Sequence, residues 1–241
     1  MINYILSDQK DSTLTITLNN PEKHNCIKYE MLDRLDDVLT RAEKNETVRV
    51  IVIRGAGSKS FSTGGDLQQF RALKNKGVRD WIQKGNELFT KLEHLHKPTI
   101  AVISGYAVGG GLELALACDL RIATPNAVFR MPELSLGWPP GWGGLIRLKQ
   151  LIGEARSKEL IFLGDAINAR KAYEFGLVHD IVEQVDLDEK LRTMTEKLSA
   201  VRSEMFAFSK AVIHGDSSRG KREMISSDTF ATTYAILLKA E

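Results

Sequence analysis

The run Gly109-Gly110-Gly111 leads into a strongly apolar stretch that carries a carboxylate, Glu113, close to its start. Glycines let a ligand come close to the backbone, and the start of a helix offers unpaired N–H groups with partial positive charge. Such a place suits an anion, either a phosphate or an oxyanion that develops during a reaction. The stretch Leu112 to Leu120 is apolar on every side except at Glu113 and Asp119, so it is expected to be a buried helix. An acid in its first turn is either a partner of the helix dipole or a working group. A second acid, Glu133, follows Pro132 twenty residues on. Alone it reads as a loop or strand-end residue. Spacing does not establish that it meets Glu113, because a strand-like segment, Leu120 to Ala123, lies between them.

Two further glycine-containing segments flank this one: Phe61-Ser62-Thr63-Gly64-Gly65-Asp66-Leu67, and the stretch from Met131 to Gly144. Arg54-Gly55-Ala56-Gly57 follows a strand but lacks the third glycine of a dinucleotide fingerprint, so it reads as a turn. No GxxxxGK[ST], HExxH or GxSxG motif occurs. Of the five histidines only His24 lies near a candidate segment, and it reads as a loop residue. Cys26 and Cys118 belong to no CxxC or Cys/His pattern, so neither a metal site nor a disulfide framework is expected. The formal charge is +2, which gives no electrostatic reason to expect nucleic acid or an acidic membrane as a partner. The basic cluster Arg219-Gly220-Lys221-Arg222 reads as a solvated loop. No run of 18 apolar residues is present, and Met1 to Lys10 lacks the features of a signal or transit peptide, so a cytoplasmic protein is expected.

The elements that must hold these segments follow from hydrophobic periodicity. Residues 12–19 alternate as a half-exposed strand, and 28–44 carry apolar residues at helical spacing. Val48 to Ile53 and Thr99 to Ile103 are β-branched runs typical of buried strands, and 78–95 reads as a helix. Strand, helix, strand, helix, strand, helix is the pattern of α/β units with parallel pairing. Beyond about residue 150 the signals become helical, over 154–164, 168–176, 187–200, 203–214 and 220–240. An α/β core over 1–190 and a helical region over 191–241 are expected, closely packed because no linker separates them.

Together these segments resemble the crotonase (enoyl-CoA hydratase/isomerase) superfamily, and in particular its hydratases. Asn20 to Ile27 is similar to the family's N-R-P-x-x-x-N-A-L entry, and Phe61 to Leu67 to its F-x-A-G-x-D. Gly105 to Asp119 is similar to G-x-x-x-G-G-G-x-E-L-x-x-x-C-D, and 132–144 to P-E-x-x-L-G-x-x-P-G-x-G-G. Ala169 to Val178 resembles A-x-x-A-x-x-x-G-L-V. The resemblance covers nearly the whole chain, with its motifs in order. It implies a spiral of stacked ββα turns with a helical C-terminal region that assembles a homotrimer or a dimer of trimers.

The resemblance also implies a chemistry. The N–H groups of Gly65 and Gly110 would bind the thioester oxygen as it becomes an enolate oxyanion. Glu113 and Glu133 would hydrate a 2-enoyl-CoA thioester, one activating water for attack at Cβ and the other handling the proton at Cα. The loop at Lys23 to Cys26, with Gly64, Asp66 and Leu67, would hold coenzyme A, which is part of the substrate; no cofactor is implied. Decarboxylation of a carboxyacyl thioester and double-bond isomerisation use the same oxyanion site and are the alternatives. A non-catalytic binding protein with the same fold is a third. Two departures from the family stand out. The sequence ends at Lys239-Ala240-Glu241 without the E-G-x-x-A-F-x-x-[KR] segment, which touches the trimer contacts and part of the acyl pocket. Trp138 and Trp142 follow Glu133, and their rings are expected either to narrow the acyl pocket or to pack in the core.

Overall fold

β-branched runs with apolar side chains on both sides of the chain form strands buried on both faces. The structure, a computed structural model, describes residues 3–214. In chain order its elements are β1 (Ile5–Lys10), β2 (Thr13–Leu18), α1 (Tyr29–Lys44), β3 (Val50–Gly55), β4 (Ser60–Ser62), α2 (Leu67–Ala72) and α3 (Asn75–Glu93). There follow β5 (Thr99–Ile103), β6 (Tyr106–Val108), α4 (Gly110–Leu116), β7 (Leu120–Ala123), β8 (Val128–Arg130) and α5 (Gly144–Lys158). The last are β9 (Ile167–Asn168), α6 (Ala169–Glu174), β10 (Asp180–Ile181), α7 (Leu187–Ser199) and α8 (Ser203–His214).

Two sheets result. The larger has the order β1-β2-β3-β5-β7-β10 and is parallel except for the β1–β2 pair. The smaller has the order β4-β6-β8-β9, with β4, β6 and β8 parallel. Three times the chain leaves a strand of the large sheet and enters one of the small sheet: β3 to β4, β5 to β6, and β7 to β8. Each passage stacks beside the one before, which builds the expected α/β spiral.

Alternation in the strands divides the core. Ile51, Ile53, Ala101 and Ile103 face the main core, while Val50, Val52, Ile100, Val102 and Ile122 face α7 through Leu191, Met194 and Leu198. α8 is tied to this frame by a partly buried ion pair, in which Lys210 donates to Asp119 at 2.9 Å. Thr99 also donates to Asp119, through its N–H and its hydroxyl, at 2.8 and 2.7 Å.

Several expected elements differ in extent. The apolar helix begins at Gly110 and ends at Leu116, four residues before the expected Leu120. Asp119 is therefore outside it, beyond Ala117, which closes the helix. The helix expected over 154–164 begins instead at Gly144; Gly153 breaks its geometry (φ 78°, ψ 169°), and five residues in π geometry follow it, Glu159–Leu163. β1 was not expected, because a strand with one buried residue and five exposed ones carries no apolar alternation. The helix expected over 220–240 lies outside the described residues.

Candidate active site

Parallel neighbours in a sheet end on the same side, and ligands of α/β proteins gather at such ends. β4, β6 and β8 are parallel neighbours, and each runs into one of the three segments singled out in the sequence. β4 is followed by Thr63 to Asp66, β6 by Gly109 and Gly110, and β8 by Met131 to Glu133. The topology therefore brings together what spacing alone left apart. The segments line one cavity of about 180 Å³, to which Gly65, Leu67, Gly110, Glu113, Glu133, Trp138 and Trp142 all contribute.

Glu113 occupies the first turn of α4 and is 2 % exposed. Its Oε1 accepts hydrogen bonds from the N–H groups of Trp142 and Gly144, both at 2.8 Å. Burial pushes its carboxyl above the usual range, while those two donors and the Arg147 guanidinium oppose the rise. Arg147 is itself buried. It donates to the Trp142 carbonyl at 2.7 Å and to Glu93 at 3.0 and 2.6 Å, so it fixes the loop that holds Glu113.

Glu133 opens a short 3₁₀ turn, Glu133–Leu136. Its Oε2 is buried and has no hydrogen-bond partner among the described residues. Burial first, and the Glu113 charge second, push its carboxyl up to about 7. An unpartnered buried polar atom costs about 1–3 kcal/mol, and such local conflicts concentrate at functional sites. Gly109 lets the Glu133 carboxyl reach the start of α4, the helix that carries Glu113. At φ 53° and ψ −127° it turns the chain into α4, and a Cβ there would lie 2.6 Å from Glu133 Oε1.

The N–H groups of Gly65 and Gly110 donate to no backbone acceptor among the described residues, and both glycines line the cavity. Gly64 does not line it. A Cβ on Gly64 would lie 2.8 Å from the Gly110 nitrogen, so this glycine lets the two segments approach each other.

Lys23, Cys26 and Asp66 form a neighbouring cluster outside the cavity lining. Lys23 Nζ lies 3.9 Å from Asp66, and the Cys26 thiol donates to the same carboxylate at 3.8 Å. The other Asp66 oxygen accepts from the N–H groups of Gln68 and Gln69 and caps α2. Burial, followed by the Asp66 charge, raises the Cys26 thiol.

Trp138 is half-buried and tilts against Phe70 at a centroid distance of 5.3 Å. Trp142 is buried edge-on to Phe89 at 5.2 Å. Both therefore line the cavity and also pack against other rings. Sequence reasoning passed over Arg147, Phe70, Trp81 and Gly85. Of these Gly85 carried a usable signal. A glycine inside a helix costs about 1 kcal/mol relative to alanine, so its presence in α3 marks a close approach. Among the described residues no helix is long and apolar enough to cross a membrane, and no cluster of three or more His, Cys, Asp and Glu is arranged to hold a metal ion.

Residues 8–236 match the family model described as enoyl-CoA hydratase/isomerase. The chain is 36% identical over 197 residues to the short-chain-enoyl-CoA hydratase of Clostridium acetobutylicum, a match spanning 82% of this chain and 76% of that protein. It is 32% identical over 233 residues to the crotonyl-CoA hydratase of Syntrophomonas wolfei, spanning 96% and 90%. A crystal structure of enoyl-CoA hydratase from Bacillus anthracis superposes with a TM-score of 0.92 at 33% identity, covering 97% of this chain and 91% of that one.

Proposed function

The chain belongs to the enoyl-CoA hydratase/isomerase family, and from that premise we propose that it hydrates a 2-enoyl-CoA thioester to the 3-hydroxyacyl thioester through Glu113 and Glu133. The observation that carries the proposal is the convergence of two buried carboxyls and two free backbone N–H groups on one cavity. The names of the hydratases of C. acetobutylicum and S. wolfei support the same reaction.

The roles divide by environment. Burial raises the proton affinity of Glu113 while two N–H donors favour its ionised form, which suits it to take a proton from the attacking water. Glu133 has an unpartnered oxygen and a carboxyl raised to about 7, which suits it to deliver a proton to Cα. Water adds to Cβ, the electrons of the double bond move toward the thioester oxygen, and the N–H groups of Gly65 and Gly110 hold the resulting enolate. Protonation at Cα by Glu133 then completes the addition. In the reverse direction the proton roles exchange. Each positioned acid or base contributes roughly 10²–10⁴ in rate, and each oxyanion donor about 10²–10³.

Coenzyme A enters as part of the substrate, and the chain's own groups carry every step. Lys23 and the backbone from Gly64 to Leu67 would hold the coenzyme A portion, supported by the exposure of the Lys23 side chain beside Asp66. Assembly as a homotrimer or a dimer of trimers is part of the same proposal. The exposed Ile146, Phe162 and Leu163 are apolar surface such an assembly could cover, and light scattering in solution tests it.

The test of function is incubation with crotonyl-CoA in ¹⁸O-labelled water. The expected product is 3-hydroxybutyryl-CoA labelled at the hydroxyl. Release of CO₂ from a carboxyacyl thioester, or migration of a 3-enoyl bond, with no labelled alcohol from crotonyl-CoA, would overturn it.

A further inference from the structure

All three tryptophans of the chain, Trp81, Trp138 and Trp142, line the same cavity, together with Phe70. Trp142 occupies a special place among them. A Cβ on Gly85 would lie 2.2 Å from its Nε1, and a Cβ on Gly110 would lie 2.5 Å from its Cζ3. The indole is thus wedged between α3 and the first residue of α4, in a slot that only glycines leave open. Its Nε1 is buried without a hydrogen-bond partner among the described residues, so shape rather than polar bonding seats the ring. The backbone N–H of the same residue holds Glu113. A substrate that pushed the ring aside would therefore also disturb the carboxylate.

The size of the space gives the consequence. The cavity measures about 180 Å³. That space must take the thioester carbonyl, the reacting Cα and Cβ and the attacking water, so little of it is left for the rest of the acyl group. Given the hydration chemistry proposed above, on which this step rests, we infer that Trp142, seated against Gly85, limits how far the acyl group extends beyond Cβ. The substrate class is a short-chain 2-enoyl thioester. Long alkyl chains meet the indole.

The experiment compares kcat/KM for crotonyl and 2-decenoyl thioesters in wild type, Trp142→Ala, Trp142→Phe and Gly85→Ala. One misplaced methylene in an apolar pocket is worth roughly 10–200-fold, so wild type should favour crotonyl by at least about 100-fold. Trp142→Ala should raise the decenoyl-to-crotonyl ratio by at least about tenfold, and Trp142→Phe by less. Gly85→Ala, whose methyl would drive the indole toward the cavity, should lower the ratio. Equal use of both thioesters by wild type, or a ratio unmoved in Trp142→Ala, would overturn the inference. Binding of the saturated butyryl and decanoyl thioesters to wild type, read by tryptophan fluorescence, decides the point without turnover or variants. Tighter butyryl binding supports the limit, and equal binding overturns it. Absence of any hydrated product from crotonyl-CoA would instead strike the proposed reaction, leaving the binding ratio to judge the pocket.

Discussion

Glu133→Gln should stabilise the folded chain at alkaline pH while it removes activity. In the folded protein, burial and then the Glu113 charge move the Glu133 carboxyl from 4.5 to about 7. In the unfolded chain the same group titrates near its ordinary value. Between those values the folded state binds more protons than the unfolded state, so stability is lost as pH rises through the window. The full shift corresponds to about 3 kcal/mol, most of which falls between pH 5 and pH 8. Glutamine keeps the shape without the charge. Relative to wild type, the variant should therefore gain about 2–3 kcal/mol of stability between pH 5 and pH 8. Urea unfolding followed by tryptophan emission at the two pH values measures this directly. Parallel pH dependence in wild type and variant would refute the claim that a carboxyl is held there against its preference for water.

Other consequences follow from the same geometry. In hydration Glu133 must carry a proton, so kcat/KM should fall as pH rises through about 7; in dehydration it must be bare, and the rate should rise over the same range. Superimposable pH profiles for the two directions would contradict its role as the acid. Gly109→Ala combines a positive φ with a methyl 2.6 Å from Glu133 Oε1, and the misplaced carboxyl should lower kcat by about 100-fold or more. A wild-type kcat would show that the position of Glu133 is unimportant. Arg147→Met leaves Glu93 without its main partner and releases the Trp142 carbonyl, so chemical denaturation should show a loss of about 3–5 kcal/mol. A loss under 1 kcal/mol would mean that the pair contributes little.

Much of this architecture was legible because burial leaves strong marks. Thr99–Ile103 and Leu120–Ala123 have the expected ends, since β-branched or apolar runs bounded by polar or turn residues leave little freedom. The candidate acids and the glycine segments were also legible, as residue types and as resemblance. Their convergence was not, because it depends on the three-residue strands β4, β6 and β8, too short to show any periodicity. The helix from Gly144 was hidden behind its own glycine-rich approach and the break at Gly153. Arg147 lay outside every expected element, and only tertiary structure reveals that it is buried against Glu93 and the loop behind Glu113.

The most direct measurement is the rate of crotonyl-CoA hydration, followed as loss of the enoyl thioester absorbance, in wild type, Glu113→Gln, Glu133→Gln and the double variant. Two carboxyls acting as one unit predict losses of roughly 10²–10⁴ for each single change, and little further loss when both are made. A single variant that hydrates crotonyl-CoA at the wild-type rate would contradict the account.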